Sequence, residues 1–341
     1  MPRISIIFPV YNTASFLKES VDSILNQSFA DFELIIINDA STDQSWEILQ
    51  TYNDPRIRLL NNEVNLGVPK TRNKALDLAT GEFIANMDSD DVAHPDRLKR
   101  QVQFLEHYLR VDVCGSWVQF IGAWNGVLQF PAKHEDIRAN LLFVNIINNP
   151  SIMLRRAILE KLRYDETFAL AEDYKLWVEL IDTCTIAIIP EVLLQYRIHT
   201  SNVSIVKKCN QQALQQYNCR VYERFFQRLA ISYNKEELRM HLEIGQKQIT
   251  ALSTAELTNY LAWLGKLIVA NRSTHYFKDE SFRTVILNQV QYLASRVKHS
   301  AKAYPLIVSF LCRYFRFSDL GRLLKLKTMN YVSRNAVKKF L

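Results

Sequence analysis

The 341-residue chain is 48% hydrophobic and 23% charged, a balance typical of globular proteins, and no apolar run approaches the roughly 20 residues of a membrane span. Residues 1–202 contain 19 Lys+Arg and 27 Asp+Glu, whereas residues 203–341 contain 23 and 8, so an acidic half precedes a basic half. Length and charge together predict two domains, at 1–204 and 205–341.

Apolar runs and helical patterns alternate regularly in the first part of the chain. The strand patterns cover residues 4–8, 32–37, 57–60 and a run that begins at residue 83. Helix starts follow at Thr13 or Ser15, at Ser41 or Thr42, and at Pro69. This alternation predicts an α/β fold with a parallel sheet and right-handed crossovers.

The rest of the acidic half is more mixed. Helix patterns begin near residues 95, 134 and 171, and strand patterns cover 111–121, 127–130, 150–154, 185–189 and 192–198. We expect a basic helix from Arg155, and we expect Pro190 to end a strand. Beyond Ser204 only helical periodicity remains, which predicts an all-helical C-terminal domain.

Three carboxylates, those of Asp88, Asp90 and Asp91, follow one apolar run within four residues. Asn12 and Asp39 also follow strand patterns, and a parallel sheet brings such strand ends to one edge. Crowded carboxylates become favourable around a divalent cation such as Mn²⁺ or Mg²⁺. The alternative is an acidic turn with an Asp helix cap.

Four motifs occur in order, each at a predicted strand end or helix start: Pro9-Val10-Tyr11-Asn12, Asn38-Asp39-Ala40-Ser41-Thr42-Asp43, Asp88-Ser89-Asp90-Asp91, and Glu172-Asp173 with Trp177. Over residues 3–203 they resemble the family 2 inverting glycosyltransferases of the GT-A fold. A finer likeness is to bacterial lipooligosaccharide β-1,3-N-acetylhexosaminyltransferases. It involves His134-Glu135-Asp136-Ile137, Asn148-Asn149, Ile152-Met153-Leu154-Arg155-Arg156, Ala171-Glu172-Asp173-Tyr174 and Tyr196-Arg197-Ile198-His199.

The resemblance implies a nucleotide-sugar site with a divalent cation, Mn²⁺ or Mg²⁺. Asp88 would contact the ribose and the metal, and Asp90 would bind the metal directly. Asp91 would either assist or cap the next helix. In relatives a His at the position of His199 approaches the diphosphate or the metal, and a loop His without a role is the alternative here.

Asp39 is implied to read the base of the nucleotide, because a carboxylate can accept a hydrogen bond from the uracil imide. Tyr11 would pack near that base. Many relatives have Asp and Gly where this chain has Asn38 and Ala40, and neither change removes the acceptor at Asp39. An Asx turn that caps a helix is the alternative for Asp39.

An inverting transferase needs one carboxylate to take the proton from the acceptor hydroxyl, and it needs no protein nucleophile. The resemblance implies this role for Asp173, with Glu172 in the nucleotide-sugar site. The alternative for both is an ordinary acidic first turn of a helix. Pro9 and Asn12 would also line the nucleotide-sugar site, and Arg72 would face the diphosphate unless it is a solvated arginine on a helix face.

The basic half ends in residues 296–341, which contain 11 Lys+Arg against one acidic residue, interleaved with large apolar side chains. Basic amphipathic helices of this kind bind anionic membrane surfaces. A bundle for packing or homo-oligomerisation is the alternative. No recognition motif for nucleic acid is present.

The five cysteines lack a CxxC pair and no signal-peptide layout is present, so we expect a cytoplasmic protein, peripheral on the inner face of the membrane.

The sequence therefore predicts a metal-dependent inverting glycosyltransferase. It would move a sugar, with N-acetylhexosamine as the first choice, from a UDP-sugar to a hydroxyl of a growing bacterial surface glycan that can be lipid-linked. The alternative within the class is a glucosyl or galactosyl transferase for capsule or O-antigen. The alternative from another class is an inactive scaffold for glycan assembly, and intact Asp88, Asp90 and Asp173 argue against it.

Overall fold

A computed structural model of the 341-residue chain describes residues 1–161, 163–168, 170–200, 202, 211–297 and 300–315. The larger part of the basic tail 296–341, including its last predicted helix, lies outside these residues. None of the helices that the structure describes is both long and apolar enough to cross a membrane.

Two compact units divide the chain. The first consists of Met1–His134 and Ile147–Leu214, and the second of Glu135–Ile146 and Gln215–Leu341. The short segment 135–146 thus leaves the first unit and is part of the second. The domain boundary at 204 and 205 stays a prediction from sequence.

Within the described residues of the first unit, nine strands form one sheet. They are β1 (Ile4–Val10), β2 (Phe32–Asn38), β3 (Ile57–Asn61), β4 (Phe83–Asn86), β5 (Val92–Ala93), β6 (Val113–Gly122), β7 (Gly126–Leu128), β8 (Met153–Arg155) and β9 (Ile186–Ile198). Their order is β3-β2-β1-β4-β8-β6-β9-β5, with β7 paired to β6. β3, β2, β1 and β4 are parallel neighbours, and β8 joins β4 to β6 by antiparallel pairing.

The helices of this part of the chain are α1 (Ala14–Leu25), α2 (Ser45–Gln50), α3 (Val68–Leu78), α4 (Arg97–His107), α5 (His134–Leu141) and α6 (Glu172–Leu180). Helices separate the parallel strands, so the predicted α/β fold with a mostly parallel sheet is confirmed, as is the helical character of the C-terminal region. β1, β2 and β4 are buried almost throughout, which explains why they appear as continuous apolar runs.

Three local predictions about secondary structure are wrong, and two of them concern the start of a helix. α2 begins after Gln44, so neither Ser41 nor Thr42 caps it, and the Asp43 carboxylate accepts a hydrogen bond from the backbone of its first residue instead. No helix begins at Arg155, because strand pairing in β8 extends to that residue and only a 3₁₀ turn, Arg156–Ile158, follows.

β9 continues through Pro190, so the prediction that this proline ends a strand is also wrong. Ile189 pairs with Ser116 of β6, whereas Val192 pairs with the next residue, Trp117. The residues between Ile189 and Val192 therefore form a bulge without ladder partners. Proline lacks a backbone N–H, and a bulge is a position in a sheet where that lack is tolerated.

The second unit is helical. Its described helices are α7 (Gln211–Arg228), which begins in the first unit, α8 (Lys235–Gly245), α9 (Thr254–Thr274), α10 (Asp279–Ala294) and α11 (Ser300–Tyr314). Capping boxes start α8 and α9: Asn234 exchanges hydrogen bonds with Glu237, and Ser253 does so with Glu256.

An aromatic cluster around the buried His241 holds the segment 135–146 in this unit. Phe143 stacks on the imidazole with ring centroids 4.6 Å apart, and Trp263 Nε1 donates to His241 Nδ1 at 3.2 Å. His241 Nε2 therefore carries the proton and donates to the Leu142 carbonyl at 2.8 Å. Burial lowers the pKa of His241 to about 3, so the ring stays neutral.

Gly245 ends α8 at a close approach to the same segment. A Cβ atom there would overlap the Phe143 carbonyl oxygen and lie 2.7 Å from Tyr222 Oη, which itself donates to that carbonyl. Glycine is the only residue without a Cβ, so the contact requires it.

We expect Gly245→Ala to destabilise the protein by about 1–3 kcal/mol, because overpacking outweighs the gain in helix propensity. Chemical denaturation followed by circular dichroism measures the loss. Gly115→Ala is the control, since its added Cβ would meet its nearest neighbour at an ordinary 3.5 Å. Unfolding of Gly245→Ala at wild-type or higher denaturant concentration would contradict the close approach.

Candidate functional site

The carboxyl ends of β1, β2 and β4 lie side by side and lead into Asn12, Asp39 and Asp88. Asp39 N donates to Val10 O at 2.8 Å, so the β1–β2 ladder continues to the first residue beyond β2. These polar residues therefore occupy one edge of the sheet, where ligands bind in open α/β folds.

Asp39 ties the segment 62–67 to the end of β2. Its Oδ1 accepts hydrogen bonds from Asn62 Nδ2 at 2.7 Å and Leu66 N at 2.9 Å, and its Oδ2 accepts from Gly67 N at 2.9 Å. Gly67 has a φ of +81°, a conformation that favours glycine. The side chain is buried and caps no helix, so the Asx-turn alternative does not describe it.

Asn12 joins the ends of β1 and β2 from the other side. Its backbone N–H donates to Ser41 Oγ at 3.0 Å, and its side-chain oxygen accepts from Thr42 N at 2.8 Å. The neighbouring Tyr11 is 46% exposed, which is high for an aromatic residue at the end of a buried strand. Pro9 is half-buried within β1.

Arg72 of α3 contacts carboxylates from two distant parts of the chain. One guanidinium nitrogen donates to Asp88 Oδ1 at 2.6 Å, and the other lies 3.4 Å from Glu172 Oε1 at the start of α6. Burial disfavours the charged guanidinium, but Asp88, Tyr164 and Glu172 outweigh it and raise the pKa of Arg72. The side chain is only 6% exposed, so it is not a solvated arginine on a helix face.

Asp90 meets His199 and Asn202, which follow the end of β9. Asp90 Oδ2 lies 2.9 Å from His199 Nε2 and accepts from Asn202 Nδ2 at 3.0 Å. Asn202 also accepts from His199 N at 2.6 Å, and Phe16 of α1 packs on the imidazole with centroids 4.4 Å apart. The structure thus brings together two of the three residues that the sequence assigns to the metal.

Asp91 is fully buried and has a different hydrogen-bond partner. Its Oδ1 accepts from Arg197 N at 2.9 Å, whereas Oδ2 has no hydrogen-bond partner among the described residues. Burial raises the pKa of Asp91 well above its usual range, and Asp90 and Asp88 raise it further. The hydrogen bond from Arg197 and the charge of Arg97 only partly oppose these effects, so the pKa of Asp91 stays raised. Asp91 does not cap α4, which begins after Asp96.

Asp173 lies one residue beyond Glu172 in the first turn of α6. It is half-buried, its Oδ1 accepts from Tyr174 N at 2.8 Å, and it is close enough to Tyr164 to raise the pKa of that phenol, which burial raises most. Because Arg72 also packs against the Tyr164 ring at 5.4 Å, Asp173 and Arg72 share a neighbour.

A preformed metal cage is absent from the part of the chain that the structure describes: no three His, Cys, Asp or Glu side chains converge there. Asp88 and Asp90 still interact electrostatically: burial raises the pKa of Asp88, Arg72 opposes that rise, and the charge of Asp90 adds to it. Mg²⁺ is usually held by one or two carboxylates together with substrate phosphates, so this pair fits a cation that binds with a diphosphate.

Sequence reasoning missed three contributors to the site. Tyr164 accepts from Asn86 Nδ2 at 2.8 Å and donates to Asn149 Oδ1 at 3.1 Å, and no motif marks its position. Arg197 and Asn202 lie on either side of His199 in the sequence, near the predicted end of a strand. That position is the sequence feature that could have identified them as site residues. Arg197 Nε donates to the Asp90 carbonyl at 2.9 Å.

The sequence model of the family described as "Glycosyl transferase family 2" matches residues 5–163. An uncharacterized glycosyltransferase of Methanocaldococcus jannaschii is 37% identical over 206 residues, which cover 58% of this chain and 71% of the relative. The Escherichia coli UDP-Glc:alpha-D-GlcNAc-diphosphoundecaprenol beta-1,3-glucosyltransferase WfgD is 31% identical over 204 residues, which cover 59% of this chain and 79% of the relative.

Two solved structures share the fold at low sequence identity. Staphylococcus aureus TarS 1–349 in complex with UDP-GlcNAc has a TM-score of 0.55 and 20% identity, and the match covers 86% of this chain and 91% of TarS. The Pyrobaculum calidifontis mannosyltransferase PcManGT in complex with GDP-Man and Mn²⁺ has a TM-score of 0.52 and 17% identity, over 91% and 85% of the two chains. These likenesses concern the fold alone.

The raised pKa of Asp91 predicts a specific pH dependence of stability. A carboxyl with a raised pKa binds more protons folded than unfolded, so its contribution falls as pH rises above the unfolded value of about 3.9. We expect Asp91→Asn to gain stability relative to the wild type as pH rises from about 5 to about 8, measured as Tm in EDTA. The exposed Asp96, whose pKa Ser28 lowers, is the control, and Asp96→Asn should show no such gain. An equal Tm difference at both pH values for Asp91→Asn would refute the prediction.

Proposed function

Because the chain belongs to glycosyl transferase family 2, we propose that it is a metal-dependent inverting enzyme that moves a sugar from a UDP-sugar to a hydroxyl of a growing bacterial surface glycan. The observation that supports this best is the double contact of Arg72 with Asp88 and Glu172. Arg72 thus lies beside Asp88, whose carboxylate suits a metal. It also lies beside Glu172, at the start of the helix that carries Asp173.

Asp88 and Asp90 would hold the cation, with His199 beside Asp90 as a further ligand or a positioning group. A bound Mn²⁺ or Mg²⁺ would supply Lewis acidity toward the departing diphosphate. Asp88 would also contact the ribose. Asn202 and Arg197 fix the position of Asp90 by bonding its carboxylate and its backbone carbonyl.

Asp39 and Tyr11 would bind the uracil, with Pro9 and Asn12 shaping the same end of the sheet. Asp39 Oδ2 accepts one hydrogen bond within the described residues, from Gly67 N, so it retains capacity for the imide N–H. The exposed Tyr11 ring offers a face for the base. The complex of TarS with UDP-GlcNAc and the UDP-Glc in the name of WfgD support a UDP-sugar as the donor.

Asp173 is the proposed general base, and Glu172 is the weaker candidate. Glu172 is buried and paired with Arg72, so taking up a proton would break a buried charge pair. Asp173 is half-buried, and its Oδ1 accepts a hydrogen bond from Tyr174 N in the first turn of α6. It would accept the proton of the acceptor hydroxyl as that oxygen attacks the anomeric carbon.

For the transferred sugar we propose N-acetylhexosamine, with GlcNAc first, as in the lipooligosaccharide N-acetylhexosaminyltransferases. TarS has been solved with UDP-GlcNAc, and this supports the choice. Glucose or galactose for capsule or O-antigen is the second candidate, favoured by the name of WfgD. That name also includes a diphosphoundecaprenol-linked acceptor, which supports a lipid-linked glycan as acceptor here.

The basic tail 296–341 is proposed to bind an anionic membrane surface at the inner face of the cytoplasmic membrane, where such acceptors are built. Of this tail, α11 exposes Tyr304 and Val308, and Arg313 lies in its last turn. Homo-oligomerisation through the same residues is the alternative. Nucleic acid is not among the proposed partners.

Release of UDP from a panel of UDP-sugars tests the proposed activity. We expect release with at least one sugar in Mn²⁺, and its loss in EDTA or in Asp90→Asn, because the leaving diphosphate needs a cation. The exposed Asp77→Asn is a control for the loss of a carboxylate elsewhere. No release with any sugar and acceptor, despite binding of UDP, would favour the scaffold alternative.

The assignment of the base predicts a selective defect. Asp173→Asn should keep its affinity for UDP and lose about 10²–10⁴-fold in transfer rate, because only proton removal is affected. Glu179→Gln, at an exposed position of the same helix, should transfer at the wild-type rate. Isothermal titration with UDP and steady-state kinetics separate the two effects, and a normal rate in Asp173→Asn would overturn the assignment.

A further inference from the structure

We propose that Arg72 is an internal counterion that competes with the divalent cation for Asp88 and is retained by Glu172 when the cation binds. This inference rests on the proposed function, since it assumes that Asp88 is a metal ligand. It assigns Arg72 a positioning role in metal binding instead of a contact with the diphosphate.

The geometry shows a guanidinium that already occupies the oxygen a metal would need. Arg72 donates to Asp88 Oδ1 at 2.6 Å, a short charge-assisted hydrogen bond. Its side chain is 6% exposed, so bulk water cannot replace the carboxylate as a partner. Removing Asp88 from this contact therefore requires another negative group within reach of Arg72.

Glu172 is that group. Its carboxylate is also only 6% exposed and lies 3.4 Å from the second guanidinium nitrogen, a longer contact than that with Asp88. A divalent cation on Asp88 would repel the guanidinium and weaken the shorter contact. Arg72 would then keep its ion pair with Glu172 and would not need to move to a new partner.

The surroundings of Arg72 keep it in place during such an exchange. The Tyr164 ring lies 5.4 Å from the guanidinium carbon, and hydrogen bonds with Asn86 and Asn149 fix the phenol. Arg72 can therefore alternate between two carboxylates without leaving its pocket. A diphosphate contact is less compatible with this setting, because both guanidinium nitrogens already face carboxylates.

The sign of the effect on metal affinity distinguishes competition from a purely structural ion pair. Removing the guanidinium should strengthen the binding of Mn²⁺, because Asp88 loses its competing cation. Removing Glu172 should weaken it, because Arg72 then has Asp88 alone as a carboxylate partner among these contacts. A structural pair would give weaker or unchanged binding in both cases.

Titration of the protein with Mn²⁺ alone, followed by the paramagnetic resonance of free Mn²⁺, measures this directly. We expect Glu172→Gln to bind Mn²⁺ several-fold more weakly than the wild type, and the double variant Arg72→Met, Glu172→Gln to bind it about tenfold more tightly. The double variant replaces a buried charge pair by neutral groups of similar size, which avoids an isolated buried carboxylate. Arg58→Met removes an exposed arginine of β3 and should leave the affinity unchanged.

Failure of this inference differs from failure of the proposed function. If the wild type binds Mn²⁺ and the double variant binds it equally or more weakly, competition by Arg72 is wrong while the metal site stands. If the wild type binds no Mn²⁺ even with UDP present, the metal step of the proposed function is wrong, and the inference with it. Equal affinities in Glu172→Gln and the wild type would also overturn the inference.

Discussion

Arg72 contacts two carboxylates that lie far apart in the sequence, and the arrangement of the site depends on that contact. Asp88 follows β4, whereas Glu172 begins α6. A buried charge costs several kcal/mol unless it is paired, so the buried Arg72 guanidinium needs the carboxylates that it contacts. The same requirement fixes the start of α6, and with it Asp173, close to the strand end.

The neighbouring carboxyl groups of Asp90 and Asp91 have other surroundings. The Asp90 carboxylate contacts two polar side chains, those of His199 and Asn202. Asp91 has no hydrogen-bond partner on its second oxygen among the described residues, and burial together with its acidic neighbours raises its pKa. The three carboxylates therefore have different surroundings, and those of Asp88 and Asp90, but not that of Asp91, suit a cation.

The sequence predicted the parallel strands and the edge where their polar ends meet, because buried strands appear as continuous apolar runs and strand ends follow from chain direction. It could not predict features that depend on distant partners. The continuation of β9 through Pro190 depends on the register of β6. The place of segment 135–146 in the second unit depends on His241 and Gly245. These residues follow the segment by about 100 residues, which is on the order of the length of a domain. Hydrophobic periodicity could not predict the ion pairs of Arg72 either, because it describes one helix or strand at a time.

Asp39 illustrates why a site residue can be predicted while its local role is not. Its position after β2 follows from the sequence, yet its carboxylate also organises the segment 62–67 through three hydrogen bonds. These bonds orient the carboxylate before any nucleotide arrives, and a preorganised acceptor loses less entropy on binding. A carboxylate has about four lone-pair sites, so structural anchoring and base recognition do not exclude each other. The segment that Asp39 holds leads directly into α3, the helix that carries Arg72, and thereby connects the proposed uracil site to the carboxylates beyond β4.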